Sequence, residues 1–263
     1  MARIFPICSS SEGNCTFIGT RGHGILVDAG CSFRALKNAL ALIDTDFDGI
    51  EAVFLTHEHY DHIKGIEQVF KHTALPVFTT GGTVSALAAA GKIPEGKSVY
   101  NITETGYKSA SFEVKPFRTS HDAAESVGYR IEFNGRSFAV CTDTGVVTDE
   151  AAEALKDCEA VLLESNYDPD MLRRNMRYGF DLKRRISSNI GHLSNRDCAE
   201  FAEKLVRGGT KHIILGHLSK ENNTPDTAYA CTADLLAKRG LVVERDFTLD
   251  IAPVVTEGQY IAI

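Results

Sequence analysis

The chain has 263 residues, of which 43% are apolar and 24% charged, so it can bury a full core as a soluble globule. Its 28 Lys and Arg against 35 Asp and Glu leave a net charge of −7, which excludes a generally basic nucleic-acid coat but not a local basic groove. No apolar leader and no run of some 18 apolar residues is present, so a soluble, cytoplasmic protein without membrane contact is expected. Seven cysteines, an odd number without a Cys-x-x-Cys pair, point to reduced thiols. A Cys8–Cys15 bridge is the alternative.

In chain order, strands are expected at 2–7 and 15–18, joined by a polar loop at 9–14 (Ser9-Ser10-Ser11-Glu12-Gly13-Asn14). That loop offers backbone N–H groups to a phosphate, or is only a polar turn. A strand from Gly24 ends in Asp28, and Ser32 caps a helix to Ile43 with Phe33, Leu36, Ala39, Leu40 and Ile43 on one face. Further strands are expected at 51–56 and 76–79, and a helix from Gly81 to Ala90. A β-rich middle follows at 98–101, 111–117, 127–133 and 136–142, with Asn134-Gly135 turning the last hairpin. The remainder alternates: helix 148–156, strand 160–163, helix 194–207 opened by Ser194 and Asp197, strand 211–215, helix 225–239, and strands at 241–245 and 258–262. No linker or low-complexity tract divides the chain, so residues 1–263 are expected to form one α/β domain.

The segment Thr56-His57-Glu58-His59-Tyr60-Asp61-His62 packs three histidines and two carboxylates behind the apolar run 52–55. It therefore sits on a turn at the C-terminal end of a strand, where open sheets present ligand sites. Packing gives no reason to cluster such side chains, whereas imidazole and carboxylate are ligands of zinc and its first-row neighbours. A helical metal motif wants histidines four apart. Here His57 and His59 are two apart and converge from a tight loop, while Asp61 and His62 suit a second ion. Glu58 is expected to face away. A two-ion site needs groups from other strand exits, and His121, Asp143 and His217 each stand at one.

The run His57, His59, Asp61, His62, then His121, Asp143 and His217, resembles the metallo-β-lactamase superfamily pattern His-x-His-x-Asp-His followed by a distant His, Asp and His. The resemblance implies a four-layer αβ/βα sandwich, with two mixed sheets flanked by helices. It implies two divalent ions, zinc or manganese or iron: one on His57, His59 and His121, the other on Asp61, His62 and His217, with Asp143 bridging. Asp28 is similar to the family's Asp behind the metal loop, which orients a ligand; read from the residues alone, it is equally a strand-end turn residue. The segments 9–15, 120–125, Glu164-Ser165-Asn166 and 216–223 resemble the bacterial YycJ/WalJ subfamily, with Ser10 where relatives tend to carry Gly. That resemblance implies DNA 5′→3′ exonuclease activity, often with manganese.

Two ions about 3.5–4 Å apart activate a water and offset charge on a substrate oxygen, for phosphodiesters, thioesters and lactams alike. The substrate must be read elsewhere. Residues 171–185 hold six basic side chains against one acidic. Arg173, Arg174, Arg177, Arg184 and Arg185 are candidates to cradle a phosphate backbone, with Asn14 as a further substrate contact, or else the run is a solvated face. Tyr178 and Phe180 interleave with the cations, to stack a base or to pack under a loop. Gly-His-Leu-Ser occurs at both 191–194 and 216–219; His217 follows the clearer strand and is the ligand candidate. His192 precedes a helix N-terminus and is the candidate for contacting the scissile phosphate or protonating the leaving oxygen, with a capping-loop histidine as the plain alternative. The catalytic candidates are thus Asp61, Asp143 and His192, in a dinuclear phosphodiesterase acting on single-stranded or recessed DNA ends. A glyoxalase II-like thioesterase would carry a helical C-terminal addition, and only 46 residues follow His217. A non-catalytic metal-binding scaffold would have lost ligands.

Overall fold

The computed structural model describes residues 1–263. Its strands form two seven-stranded mixed sheets, and the chain divides into two compact units. The first comprises Met1–Pro116, Ala123–Val127 and Pro253–Ile263, the second Phe117–Asp122 and Gly128–Ala252.

The first unit opens with an antiparallel hairpin, β1 (Arg3–Ser10) and β2 (Gly13–Thr20), in which Ser9 pairs with Asn14 and Ser10 with Gly13. The expected polar loop at 9–14 is therefore the closed end of a hairpin, because the ladder extends through the serines to the turn at residues 11–12. The register shifts between Pro6 and Cys8, where Pro6 has no N–H to give to the ladder. β3 (His23–Val27) pairs with β2, and α1 (Phe33–Leu42) follows with the Ser32 hydroxyl accepting from Ala35 N–H at 3.2 Å. β4 (Ile50–Phe54) is parallel to β3. It leads into two short helices, α2 (Tyr60–Ile63) and α3 (Ile66–His72), broken at Gly65, whose N–H donates to Ala29 O at 2.7 Å. A Cβ at Gly65 would lie 2.3 Å from Cys31 O, so glycine is required for this approach. β5 (Val77–Thr79), α4 (Gly81–Ala89) and β6 (Val99–Asn101) complete the parallel edge, and β7 (Tyr107–Lys108) and β8 (Phe112–Arg118) form an antiparallel pair. Phe5, Phe17, Leu26, Leu36, Leu40, Val69 and Phe70 share one buried core, each such side chain contributing about 1.5–3 kcal/mol.

In the second unit, β9 (Val127–Phe133) and β10 (Arg136–Cys141) are joined at Asn134 (φ 52°) and Gly135 (φ 73°), both left-handed as the expected two-residue turn demands. After α5 (Asp149–Leu155) comes β11 (Ala160–Glu164), buried along its whole length. The arginine-rich segment folds as α6 (Pro169–Arg174) and α7 (Phe180–Ile186), the first capped by Asp168 with Pro169 opening it. α8 (Asn195–Arg207), β12 (His212–Gly216), α9 (Pro225–Lys238) and β13 (Thr248–Ile251) follow, with β10 to β13 all parallel. Residues 241–245, expected as a strand, form none: Val243 makes only an isolated bridge to Phe247, and the chain turns at 244–246. Val242 N–H is taken by Asp246 Oδ2 at 2.7 Å and Glu244 is left-handed, so the last parallel strand starts later. β14 (Ile261–Ala262) pairs with β1.

The sheet orders are β14-β1-β2-β3-β4-β5-β6 and β13-β12-β11-β10-β9-β8-β7. All seven thiols are free, so no Cys8–Cys15 bridge forms. No helix is long and apolar enough to cross a membrane.

Candidate metal centre

In the first unit, the residue after β3 is Asp28, left-handed at φ 65°. A non-glycine residue held there is strained, and such strain collects at functional sites. Both carboxylate oxygens are used. Oδ1 accepts from Thr56 N–H at 2.8 Å, and Oδ2 from His62 Nδ1 at 2.7 Å. Burial pushes the Asp28 carboxyl above its usual range, against the opposing pull of His62 and Thr56. Because a carboxylate only accepts, His62 carries its proton on Nδ1 and presents Nε2 as the lone-pair nitrogen. Asn14 Nδ2 meets that Nε2 at 3.1 Å and also donates to Asp61 Oδ2 at 3.2 Å and Ser10 O at 3.0 Å. Asn14 thus braces the histidine loop from the hairpin end.

His57 and His62 are buried and their ring centroids lie 4.1 Å apart, with His57 and His59 at 4.6 Å. His59 caps α2, which places Asp61 and His62 on one helical turn. The loop is held tightly from below: a Cβ on Gly30 would lie 1.7 Å from Asp61 O. Glu58, expected to face away, accepts from Ala124 N–H at 2.7 Å and so anchors the 123–127 segment.

In the second unit four more polar residues converge. Donor atoms of Asp143, Glu164, His192 and His217 all lie within 4.8 Å of one another. Asp143 (φ 54°) and His217 (φ 55°) stand in the same left-handed conformation as Asp28, at the exits of β10 and β12. Glu164 ends β11 and is fully buried. Its Oε1 accepts from Nδ1 of His192 and of His217, each at 2.8 Å, and its Oε2 from Thr144 N–H at 2.7 Å and Leu193 N–H at 3.2 Å. Burial opposes its charge, but the two imidazoles and their hydrogen bonds outweigh that and hold the carboxyl below its usual range. The two Gly-His-Leu-Ser copies therefore meet on one carboxylate. No role was expected for Glu164 beyond its place in the Glu164-Ser165-Asn166 segment that carries the subfamily resemblance; a second signal is an acidic residue closing an otherwise apolar buried strand.

His121 follows β8, and its Nδ1 donates to Gly191 O at 2.9 Å. Burial, the largest influence, pushes its pKa down and favours the neutral ring. His62, His121, His192 and His217 thus all commit Nδ1 to an oxygen acceptor, which leaves Nε2 as the lone-pair nitrogen, the tautomer that binds metal. With buried carboxylates beside them, the donor chemistry of both units fits divalent ions of the zinc and manganese class.

The arginines divide. Arg185 is locked on Asp122 by two bonds, Nε to Oδ2 at 2.5 Å and Nη2 to Oδ1 at 2.9 Å, beside His121. Arg177 pairs with Glu221 at 2.8 Å, Arg173 with Asp170 at 2.8 Å and Arg184 with Asp181 at 3.4 Å, all at the surface. Arg174 lies at the end of α6. Tyr178 packs against Tyr167, Leu172 and Ile186, whereas Phe180 is 78% exposed.

Residues 23–218 match the sequence model of the beta-lactamase superfamily domain. The chain is 35% identical over 259 residues to an exodeoxyribonuclease YycJ of Bacillus anthracis, covering 97% of each. It is 35% identical over 254 residues to an exodeoxyribonuclease WalJ of Streptococcus pneumoniae, covering 94% of this chain and 93% of the relative. Among solved structures it superimposes on unliganded yeast PDE1 with a TM-score of 0.70 over 98% of both chains at 16% identity. The metallo-β-lactamase fold protein YhfI of Bacillus subtilis gives 0.68, covering 97% of this chain and 98% of that one, also at 16% identity. The αβ/βα fold expected from the sequence is therefore the fold of the chain.

Proposed function

Since the chain belongs to the metallo-β-lactamase superfamily, and so to its metal-dependent hydrolases, we propose that it is a dinuclear phosphodiesterase acting on DNA, an exonuclease that digests 5′→3′. The observation that carries the nuclease reading is the likeness, over nearly the whole chain, to two exodeoxyribonucleases. In this reading His57, His59 and His121 would hold one divalent ion, Asp61, His62 and His217 would hold a second, and Asp143 would be a ligand available to either. Bound ions would activate a water and offset charge on a phosphate oxygen.

The chain's own residues supply orientation and proton handling. Asp28 fixes the ring of His62 through Nδ1, and Glu164 fixes His217 and His192 in the same way. His192, with Nδ1 tethered, offers Nε2 to the scissile phosphate or, protonated, donates from it to the leaving oxygen. Asn14 acts by holding Asp61 and His62 rather than by gripping substrate. Arg173, Arg174, Arg177 and Arg184 form the surface cradle for the strand, and Arg185 supports it through Asp122.

The test is hydrolysis of bis(p-nitrophenyl) phosphate against a glutathione thioester by metal-reconstituted protein. Phosphodiester turnover that falls at least about a hundredfold in His192→Ala at saturating metal supports the reading. Thioester turnover alone contradicts it.

A further inference from the structure

We propose that a cavity of about 600 Å³ in the second unit is a nucleobase subsite that takes one unstacked base of a single-stranded DNA end. The proposal rests on the nuclease reading for its ligand, and it names a contact that reading does not assign. Tyr167, Tyr178 and Phe180 line the cavity together with Arg173, Lys183 and Arg184, and no carboxylate lines it. Its size falls within the range of about 300–1,000 Å³ typical of small-ligand pockets.

Phe180 stands 78% exposed at the start of α7, so its ring is open to a ligand entering the cavity. Its neighbour Arg184 places its guanidinium carbon 6.0 Å from the ring centroid, which aligns a cation with the aromatic face. Tyr178 forms a fixed wall, half-buried on Tyr167, Leu172 and Ile186. Lys183 Nζ donates to Arg173 O at 2.8 Å and ties α7 to α6, so the cavity is held open by the fold. The rim cations pair only with exposed acids, Asp170 and Asp181, and such pairs yield readily to a phosphate.

Flat aromatic faces inside and positive charge at the rim match one ligand chemistry, a base on its phosphate backbone. Stacking of this kind accepts any base, as a sequence-tolerant exonuclease needs. The cavity is also coupled to the candidate centre. Ile186, the last residue of α7 and next to the lining Ser187, accepts from His192 N–H at 2.9 Å, and Asn166, next to the lining Tyr167, donates to His217 O at 2.7 Å. Ligand in the cavity and the two histidines thus share supporting backbone within the second unit.

The test uses the metal-loaded full chain, a short phosphorothioate oligothymidylate and an abasic strand of equal length and charge. Phe180→Ala should weaken the thymidylate by about tenfold and the abasic strand by less than about twofold. The chain has no tryptophan, so Phe180→Trp supplies a unique fluorophore. It should restore affinity, and its emission should be quenched by the thymidylate but not by the abasic strand. Equal losses for the two strands, or an unquenched Trp, would overturn the subsite. So would thymidine monophosphate binding as tightly as the strand, which would reassign the cavity to a free nucleotide. If the Phe180 pattern holds while no metal supports DNA cleavage, the nuclease reading fails and the subsite stands.

Discussion

Glu164 Oε1 accepts a 2.8 Å hydrogen bond from His217 Nδ1 at a position closed to solvent. The same oxygen accepts from His192, so one carboxylate sets the tautomer and aim of two rings. A glutamine has one acceptor oxygen and turns two N–H groups toward donors, which leaves buried hydrogen-bonding groups unmatched. Glu164→Gln is therefore expected to lower divalent-metal affinity by about 10- to 100-fold, measured by chelator competition. Unchanged affinity would show that the carboxylate serves packing alone.

Arg185 and Asp122 make a two-bond clamp beside His121, which separates two roles for the arginine. If Arg185 acts through Asp122, Arg185→Ala and Asp122→Ala should each reduce phosphodiester turnover, and the double variant should be no worse than either single one. DNA affinity lost in Arg185→Ala but kept in Asp122→Ala would instead make Arg185 a direct phosphate contact. Arg185→Lys cannot reproduce the fork and should resemble the alanine variant.

Away from the site, Glu203 on α8 accepts from Arg207 of the same helix, at 2.9 Å, and from Arg239 at the end of α9, which joins the two helices. The Arg207 and Arg239 guanidinium groups hold its carboxyl below the usual carboxylate range. Its folded pKa thus lies under its unfolded one. The stabilisation is complete above the ordinary glutamate value of 4.5 and is lost as pH falls through the folded value. Urea midpoints of the native chain and Glu203→Gln should differ by a constant amount at pH values above the ordinary 4.5, and the difference should narrow as pH falls below it. A difference that stays constant, or widens, as pH falls below 4.5 would contradict the linkage.

Much of the frame is legible from residues because local chemistry and tertiary structure agree there. Ser32, Ser194 and the Asn134-Gly135 pair take the cap and turn geometries their side chains and φ values favour. Polar residues at strand exits, Asp28, His57, Asp143 and His217, stand out because an apolar run ends on each. Where pairing overrides composition, the reading fails. Ser9-Ser10-Ser11-Glu12-Gly13-Asn14 has the makeup of a loop, yet ladder pairing to Asn14 carries the hairpin to its end. Leu241-Val242-Val243 has the makeup of a strand, but the Asp246 side chain captures Val242 N–H and forces a turn. Glu164 is hidden for another reason: its importance lies in two histidines 28 and 53 positions away. The arginine run likewise reads as uniform, whereas the fold sends Arg185 to Asp122 and Arg177 to Glu221.

Digestion of end-labelled single- and double-stranded DNA and RNA by protein reconstituted with zinc or manganese, with Asp143→Asn as control, distinguishes a metal-dependent exonuclease from the other hydrolases of the fold. Loss of label from the 5′ end of DNA is expected, abolished by chelator and by the variant. Intact strands with every metal, or degradation that survives Asp143→Asn, would contradict the exonuclease reading.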